Sequence, residues 1–294
     1  MGIPIDWKPT TASLQHIHRQ LTTGGEGWPE PDVDVPPITD EQRRRARDRW
    51  SERVRATYVS VGQANSLLQQ FVALGAPVEV LTGAAYTTKE LTLQLSANLH
   101  LLKSLAPPSL FAPQALAPRQ VEEPRWQLVL EQAIELFTFN LSLSQPVYHA
   151  LYAVSSDPAF SQLSGIVADN LSELTTFGDL TIQWLHESRN SSPSLLETKT
   201  PRLLAAYESL LYGGPETLDD LAGQEITVET RPGNLGTLSA EQSAAIFYDT
   251  VQNTILPRLE SLGVDPSEAW QRRHRDIDTA SLPPAVVAGV GIGF

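Results

Sequence analysis

The chain has no cysteine. Disulfides, zinc–thiolate sites, iron–sulfur clusters and a cysteine nucleophile are excluded together. It also lacks any apolar run of the ~18 residues that a membrane-spanning helix needs, so no membrane partner is expected. Its first residues, Met1-Gly2-Ile3-Pro4-Ile5-Asp6, carry neither the basic nor the apolar stretch of a secretory leader, and a cytoplasmic location is the expectation. Basic residues are scarce: 21 Lys and Arg stand against 34 Asp and Glu, a formal net charge of −13. No nucleic-acid partner is expected of such a chain, because phosphate binding needs a basic face. The one basic run, Arg43, Arg44, Arg45, Arg47 and Arg49, is interleaved with Asp40, Glu41, Asp48 and Glu52 and reads as a solvated helix face. No Gly-x-Ser-x-Gly elbow, phosphate loop or dinucleotide fingerprint occurs.

What is present is a chain of 294 residues, long enough for one large helical domain or two small ones with a sizeable core. Residues 1–38 are rich in Pro, Gly and Asp and read as an extended arm, with Trp7 and Trp28 as its anchors. Thr39-Asp40-Glu41-Gln42 is a capping box that should open a helix running to about Leu74, where Gly75-Ala76-Pro77 turns the chain. A second helix is expected over 78–105, followed by a Pro-rich crossover over 106–124. A third should run from about Pro124 to Val154, with a kink or break at Pro146. Ser156-Asp157-Pro158 caps a fourth, in which Leu163, Val167, Leu171, Leu174, Ile182 and Leu185 fall mostly at helical spacing.

Beyond residue 190 the signals weaken. A polar linker precedes a short helix near 199–212, and Ile226, Val228 and Thr230 alternate as in a short strand or extended loop. Ser239-Ala240-Glu241-Gln242 is a second capping box, opening a helix to about Leu262 with a kink at Pro257. The apolar, Gly-rich tail 280–294 ends at Phe294 and is expected to pack on the helices or on a partner. The expected division is therefore an arm over 1–38, an all-α four-helix bundle over 39–190, and a helical extension over 191–294.

Several strings carry a resemblance. Trp50-Ser51-Glu52-Arg53-Val54-Arg55-Ala56-Thr57-Tyr58-Val59-Ser60-Val61, then Leu68 to Pro77, resemble a group of bacterial ferritin-like domain proteins. So do Ser156 to Leu185, with Asp157-Pro158, Ala168-Asp169 and Trp184-Leu185, and the stretch from Leu235 to Leu259. The likeness covers about residues 45–265 and implies a ferritin-like four-helix bundle. In that group one Glu on each of two helices, and a Glu-x-x-His on each of the other two, aim at a pair of iron or manganese ions.

At those positions this chain has Thr57; Gln94 after Leu91, or Glu90 and Leu93 one residue earlier; Asn140 or Leu141; and Asn170 with Glu173. No His is present in either register, and at most Glu90 and Glu173 remain as carboxylates. The resemblance thus implies a di-iron site whose ligands are lost, and no metal or other cofactor is expected. Thr57, Ser60, Gln63, Gln94, Asn140, Asn170 and Glu173 are expected to point inward. They form either a self-satisfied hydrogen-bond network or a pocket for a small molecule.

In the pocket reading, Glu173 is the acid or base of a metal-independent enzyme of bacterial specialised metabolism, doing acid–base or cyclisation-type chemistry. Thr57, Gln94, Asn140 and Asn170 orient the substrate. Two other readings stand beside it. One is a non-catalytic binding or assembly protein that holds a protein partner or a second copy of itself. The other is a metalloprotein with relocated ligands such as Glu90, Glu173 and His100.

The remaining constellations read as structural. His16-Ile17-His18 is a surface pair, and His100 and His149 are core histidines, the latter beside Tyr148 and Tyr152 near Pro146. Glu131 and Glu135, one turn apart, are read as an exposed face in preference to a displaced carboxylate site.

Overall fold

The computed structural model describes residues 28–29, 31–35, 37–105, 126–189, 193–212 and 232–273. Every regular element among them is helical. Helix α1 (Asp40–Ala73) opens on the capping box: the Gln42 backbone N–H donates to Thr39 Oγ1 at 3.1 Å, and the Thr39 N–H to Gln42 Oε1 at 2.9 Å. Asp40 and Glu41 add negative charge at the positive end of the helix. Gly75, at φ +67°, ends it. There the Ala76 N–H reaches back to the Phe71 carbonyl and the Gly75 N–H to that of Val72, a paired closure that a left-handed residue makes possible. The chain then returns as α2 (Val78–Leu105).

A single helical run follows: α3 (Trp126–Ala133), a π-helical segment (Ile134–Leu141) and α4 (Ser142–Val154). Asp157 Oδ1 accepts the N–H groups of Ala159 and Phe160 and so starts α5 (Pro158–Arg189). The first hairpin, α1 with α2, packs on the second, formed by the α3–α4 run with α5. Side chains that join them include Gln70, whose Nε2 donates to Gln132 Oε1, and Phe71, edge-on to Trp184 at 6.4 Å. Two glycines bring backbones close. The Phe177 ring lies where a Cβ on Gly83 would stand, and Phe137 lies 2.4 Å from where one on Gly178 would stand.

Three of these observations depart from the sequence reading. The run does not break at Pro146; its irregularity lies upstream, in the π segment. Proline removes a donor and crowds the carbonyl four residues back, and a preceding wide turn accommodates that mismatch. The same pairing recurs at Pro257, where a π-helical turn (Val251–Ile255) joins α7 (Ala240–Thr250) to α8 (Leu256–Ser261). Helix α6 (Pro193–Tyr212) starts about six residues earlier than expected and passes through Pro201; Pro193, with its fixed φ, suits a first helical position. His149 is exposed and is not a core histidine.

The later elements dress the two hairpins. Tyr207 of α6 stacks on Phe139 of the π segment, with centroids 5.5 Å apart. Helix α7 starts on the second capping box, and α9 (Pro266–Arg272) is tied down just past its end by Arg273. Arg273 Nε donates to the buried Glu208 at 3.0 Å, and its guanidinium lies 3.5 Å from the centre of the Trp270 ring. A strap over 232–239 crosses the start of the first hairpin. Trp50 Nε1 donates to the Leu235 carbonyl at 2.8 Å, and the Ser156 N–H donates to that of Asn234. Gly236, at φ +78°, leaves room for Trp50.

Of the expected arm, Trp28, Val33, Val35 and Ile38 pack against the core, and Pro31 meets His100. The rest of the arm with Trp7 and His16-Ile17-His18, the crossover 106–124, the alternating Ile226, Val228 and Thr230, and the tail 280–294 lie outside the described residues. No described helix is long and apolar enough to cross a membrane. In the basic run of α1, Arg44, Arg45, Arg47 and Arg49 are solvated as expected and paired with Glu41, Asp48 and Glu52.

Candidate functional site

Between α1, α2 and the π–α4 run, the interior of the two hairpins turns polar. A cavity opens there, lined by Arg53, Ala56, Thr57, Ser60, Leu91, Gln94, Asn140, Leu141, Ser144 and Tyr148. The volume open to the centre of a water molecule is about 10 Å³, room for about one water. The wall results from helical phase. Arg53, Thr57 and Ser60 recur every three or four residues on α1, and Leu91 and Gln94 do so on α2.

Most polar groups of the wall are tied to one another. Thr57 Oγ1 donates to the Arg53 carbonyl at 2.9 Å and accepts from Asn98 Nδ2 at 3.0 Å. The same Asn98 amide meets the Tyr148 hydroxyl, 2.8 Å from Nδ2 and 3.1 Å from Oδ1. Asn140 Nδ2 donates to Ser60 Oγ at 2.9 Å, and Ser60 in turn donates to the Ala56 carbonyl. Burial pushes the Tyr148 hydroxyl above its ordinary pKa, against the pull of Arg53 and of hydrogen bonds from Gln94, Asn98 and Thr57. Burial pushes Arg53 down to about 10, which still leaves it charged at neutral pH; Tyr148 and Glu52 partly offset that cost. Its Nη1 donates to the Gly236 carbonyl of the strap at 2.7 Å, and its guanidinium lies 4.7 Å from the centre of the Trp50 ring.

Three of the five site residues expected from sequence, Thr57, Gln94 and Asn140, therefore share the cavity. Asn170 does not. It is half-buried and donates from Nδ2 to Glu90 Oε2 at 3.0 Å, while Lys89 Nζ lies 3.1 Å from Glu90 Oε1. Glu173 is exposed. The buried stripe of α5 runs through Val167, Leu171, Leu174, Ile182 and Leu185. Glu173, two positions past Leu171, lies about 200° around the helix from it. It is not a core acid or base.

The largely enclosed carboxyl beside the cavity is Glu135, expected from the sequence as part of an exposed face. It lies in the π segment and keeps only a thin exposed edge. Gln63 Nε2 donates to its Oε1 at 2.7 Å, and Gln63 Oε1 is 3.4 Å from Asn140 Nδ2. Burial raises the Glu135 carboxyl to about 7, with Gln63 and Lys199 opposing and Glu131 adding to the rise. Glu131 itself pairs with Lys199 at 3.2 Å. The buried hydroxyl of Tyr207 has no hydrogen-bond partner, and both burial and the nearby Glu135 charge hold its pKa well above the ordinary value.

No carboxylate or imidazole lines the cavity; the wall carries one cation and neutral hydroxyls and amides. Iron and manganese need anionic and imidazole donors, so this wall does not fit a di-iron pair. Among the described residues no three His, Asp or Glu side chains gather where they could hold a metal ion. Glu90, Glu173 and His100 are held apart: Glu90 is engaged with Asn170, Glu173 is exposed, and His100 Nε2 lies 2.8 Å from the Pro31 carbonyl. Comparison with protein-family models, curated proteins and solved structures gives no match for this chain.

Arg53, Asn98, Ser144 and Tyr148 were not among the expected site residues. For Arg53 the sequence does carry a signal: it stands one helical turn before Thr57, on the same inward face.

Proposed function

We propose that the chain is a metal-independent ferritin-like four-helix bundle that binds a small polar molecule in the place of the lost di-iron site. The observation that carries this reading is the cavity wall, where Thr57, Gln94 and Asn140, at or next to the lost ligand positions, converge with a buried guanidinium. A buried cation among neutral hydroxyls and amides suits a small anion or a strongly dipolar neutral molecule. The wall offers hydrogen bonds and charge but no acid or base in contact with a ligand, which favours binding over turnover.

The test is heat denaturation of the wild type and of Asn140→Leu, with fluoride, chloride, formate and methanol as probes. A probe that raises the melting temperature of the wild type and not of the variant supports the reading. No response to any of them overturns it. A second reading, a non-catalytic assembly protein, is favoured by the size of the cavity and by how fully its walls bond to one another. In that case the polar core fixes the packing of the two hairpins, and the outer surface does the work.

A further inference from the structure

Glu135 is the one enclosed carboxyl wired to the cavity, and the wiring is made of amides. Glu135 Oε1 accepts Gln63 Nε2 at 2.7 Å. That leaves Gln63 Oε1 facing Asn140 Nδ2 at 3.4 Å, and Asn140 Nδ2 also donates to Ser60 Oγ at 2.9 Å. With both N–H groups of Asn140 engaged by Ser60 and Gln63, its carbonyl oxygen is the polar atom left to meet a ligand in the cavity that it lines. Each amide has a donor end and an acceptor end, so the orientation of the first fixes that of the next.

We propose that Glu135 is a positioning residue for this cavity: through Gln63 it sets whether Asn140 offers the cavity an oxygen or an N–H. With Glu135 ionised, Gln63 must turn its N–H to the carboxylate, and Asn140 presents an acceptor. With Glu135 protonated, its O–H donates to Gln63 Oε1, Gln63 turns over and offers its N–H to Asn140 Oδ1, Ser60 moves its O–H from the Ala56 carbonyl to the same oxygen, and the Asn140 N–H swings to the cavity. The cavity then takes a ligand through a donor, favouring an anion or a carbonyl. In the ionised state it favours a small neutral ligand with a hydrogen to give, such as methanol. The side chains that act on Glu135 are Lys199 and Tyr207 of α6, Glu131 of α3 and the neutral Gln63 of α1. Its carboxyl is held near 7, so both states are reached close to neutrality.

The choice of ligand rests on the proposed binding function, but the amide switch does not, and the two fail separately. The experiment follows the side-chain N–H resonances of Gln63 and Asn140 by two-dimensional NMR as pH is varied through neutrality. They are assigned by their loss in Gln63→Met and Asn140→Leu. In the wild type and in Glu131→Gln, both amides should shift together with one midpoint near 7. In Glu135→Gln the shift should vanish, and in Glu135→Asp it should return. In Gln63→Met, where the link is cut, the Asn140 amide should lose its response while the protein stays folded by circular dichroism. Amides that do not move in the wild type overturn the proposal, as does an Asn140 transition that survives in Glu135→Gln or Gln63→Met.

Discussion

Replacing Glu135 by glutamine should change how the protein's stability depends on pH, with a sign and size set by burial. The free side chain ionises near 4.5; inside the protein it does so near 7. Between those values the folded protein keeps a proton that the unfolded chain has already released. The stabilisation is therefore complete below about pH 4.5, is lost as pH rises, and is gone above about 7, for a total of about 3 kcal/mol. Glutamine is nearly the same shape, accepts the same hydrogen bond from Gln63 and does not titrate. Urea unfolding of both proteins at a series of pH values isolates the effect, since every other group contributes alike to each. The wild type should lose about 3 kcal/mol relative to Glu135→Gln between about pH 4.5 and 8. A difference that stays constant across that range, or that favours the wild type as pH rises, would refute the assignment of Glu135 as a carboxyl that burial keeps protonated.

Tyr207→Phe removes a buried hydroxyl without a partner while keeping the stack on Phe139, and should raise stability by about 1 kcal/mol in the same urea assay. Gly178→Ala places a methyl against the fully buried Phe137 and should cost about 1–3 kcal/mol. Gly83→Ala should cost less, because Phe177 is only partly buried and can give way. Asn98→Leu removes the hydrogen bonds of its amide to the Thr57 and Tyr148 hydroxyls, which keep their other partners, and should lower the melting temperature by an amount equivalent to about 1 kcal/mol. Elemental analysis of protein purified from metal-free buffer should find iron and manganese well below one per chain; a stoichiometric amount would contradict the neutral donor set of the cavity.

The parts of the fold that were legible in the sequence were those specified by local chemistry. Thr39 with Gln42, Ser239 with Gln242, and Asp157 each name a helix start by a side chain that caps its own backbone. The turn at Gly75 was equally plain. The candidate site was legible where helices are regular: Thr57 and Gln94, singled out by the resemblance, both face inward on α1 and α2. It was misread where phase was extrapolated. Glu173 was placed inward by counting three residues on from Asn170, but Asn170 already sits at the edge of the buried stripe, so the next step falls in solvent. Glu135 was placed outward beside Glu131, because nothing in the local composition announces that the helix widens after Ala133. Arg53 was obscured by the expectation that arginines stay solvated, which α1 obeys for one turn after another before Trp50 and the strap enclose this one.

Each wide turn amounts to one residue more than a regular helix would need for the same length. From Ser142 onward, every side chain of α4 is therefore rotated by about 100° from where a uniform 3.6-residue count begun at Trp126 would put it. Tyr148 faces the cavity because of that offset. Removing a single residue within 134–141 would restore the regular count and carry Tyr148 off the wall. Any alignment of this helix with an unwidened counterpart must accordingly place a one-residue gap between Ile134 and Leu141, and the second such turn asks for another between Val251 and Ile255.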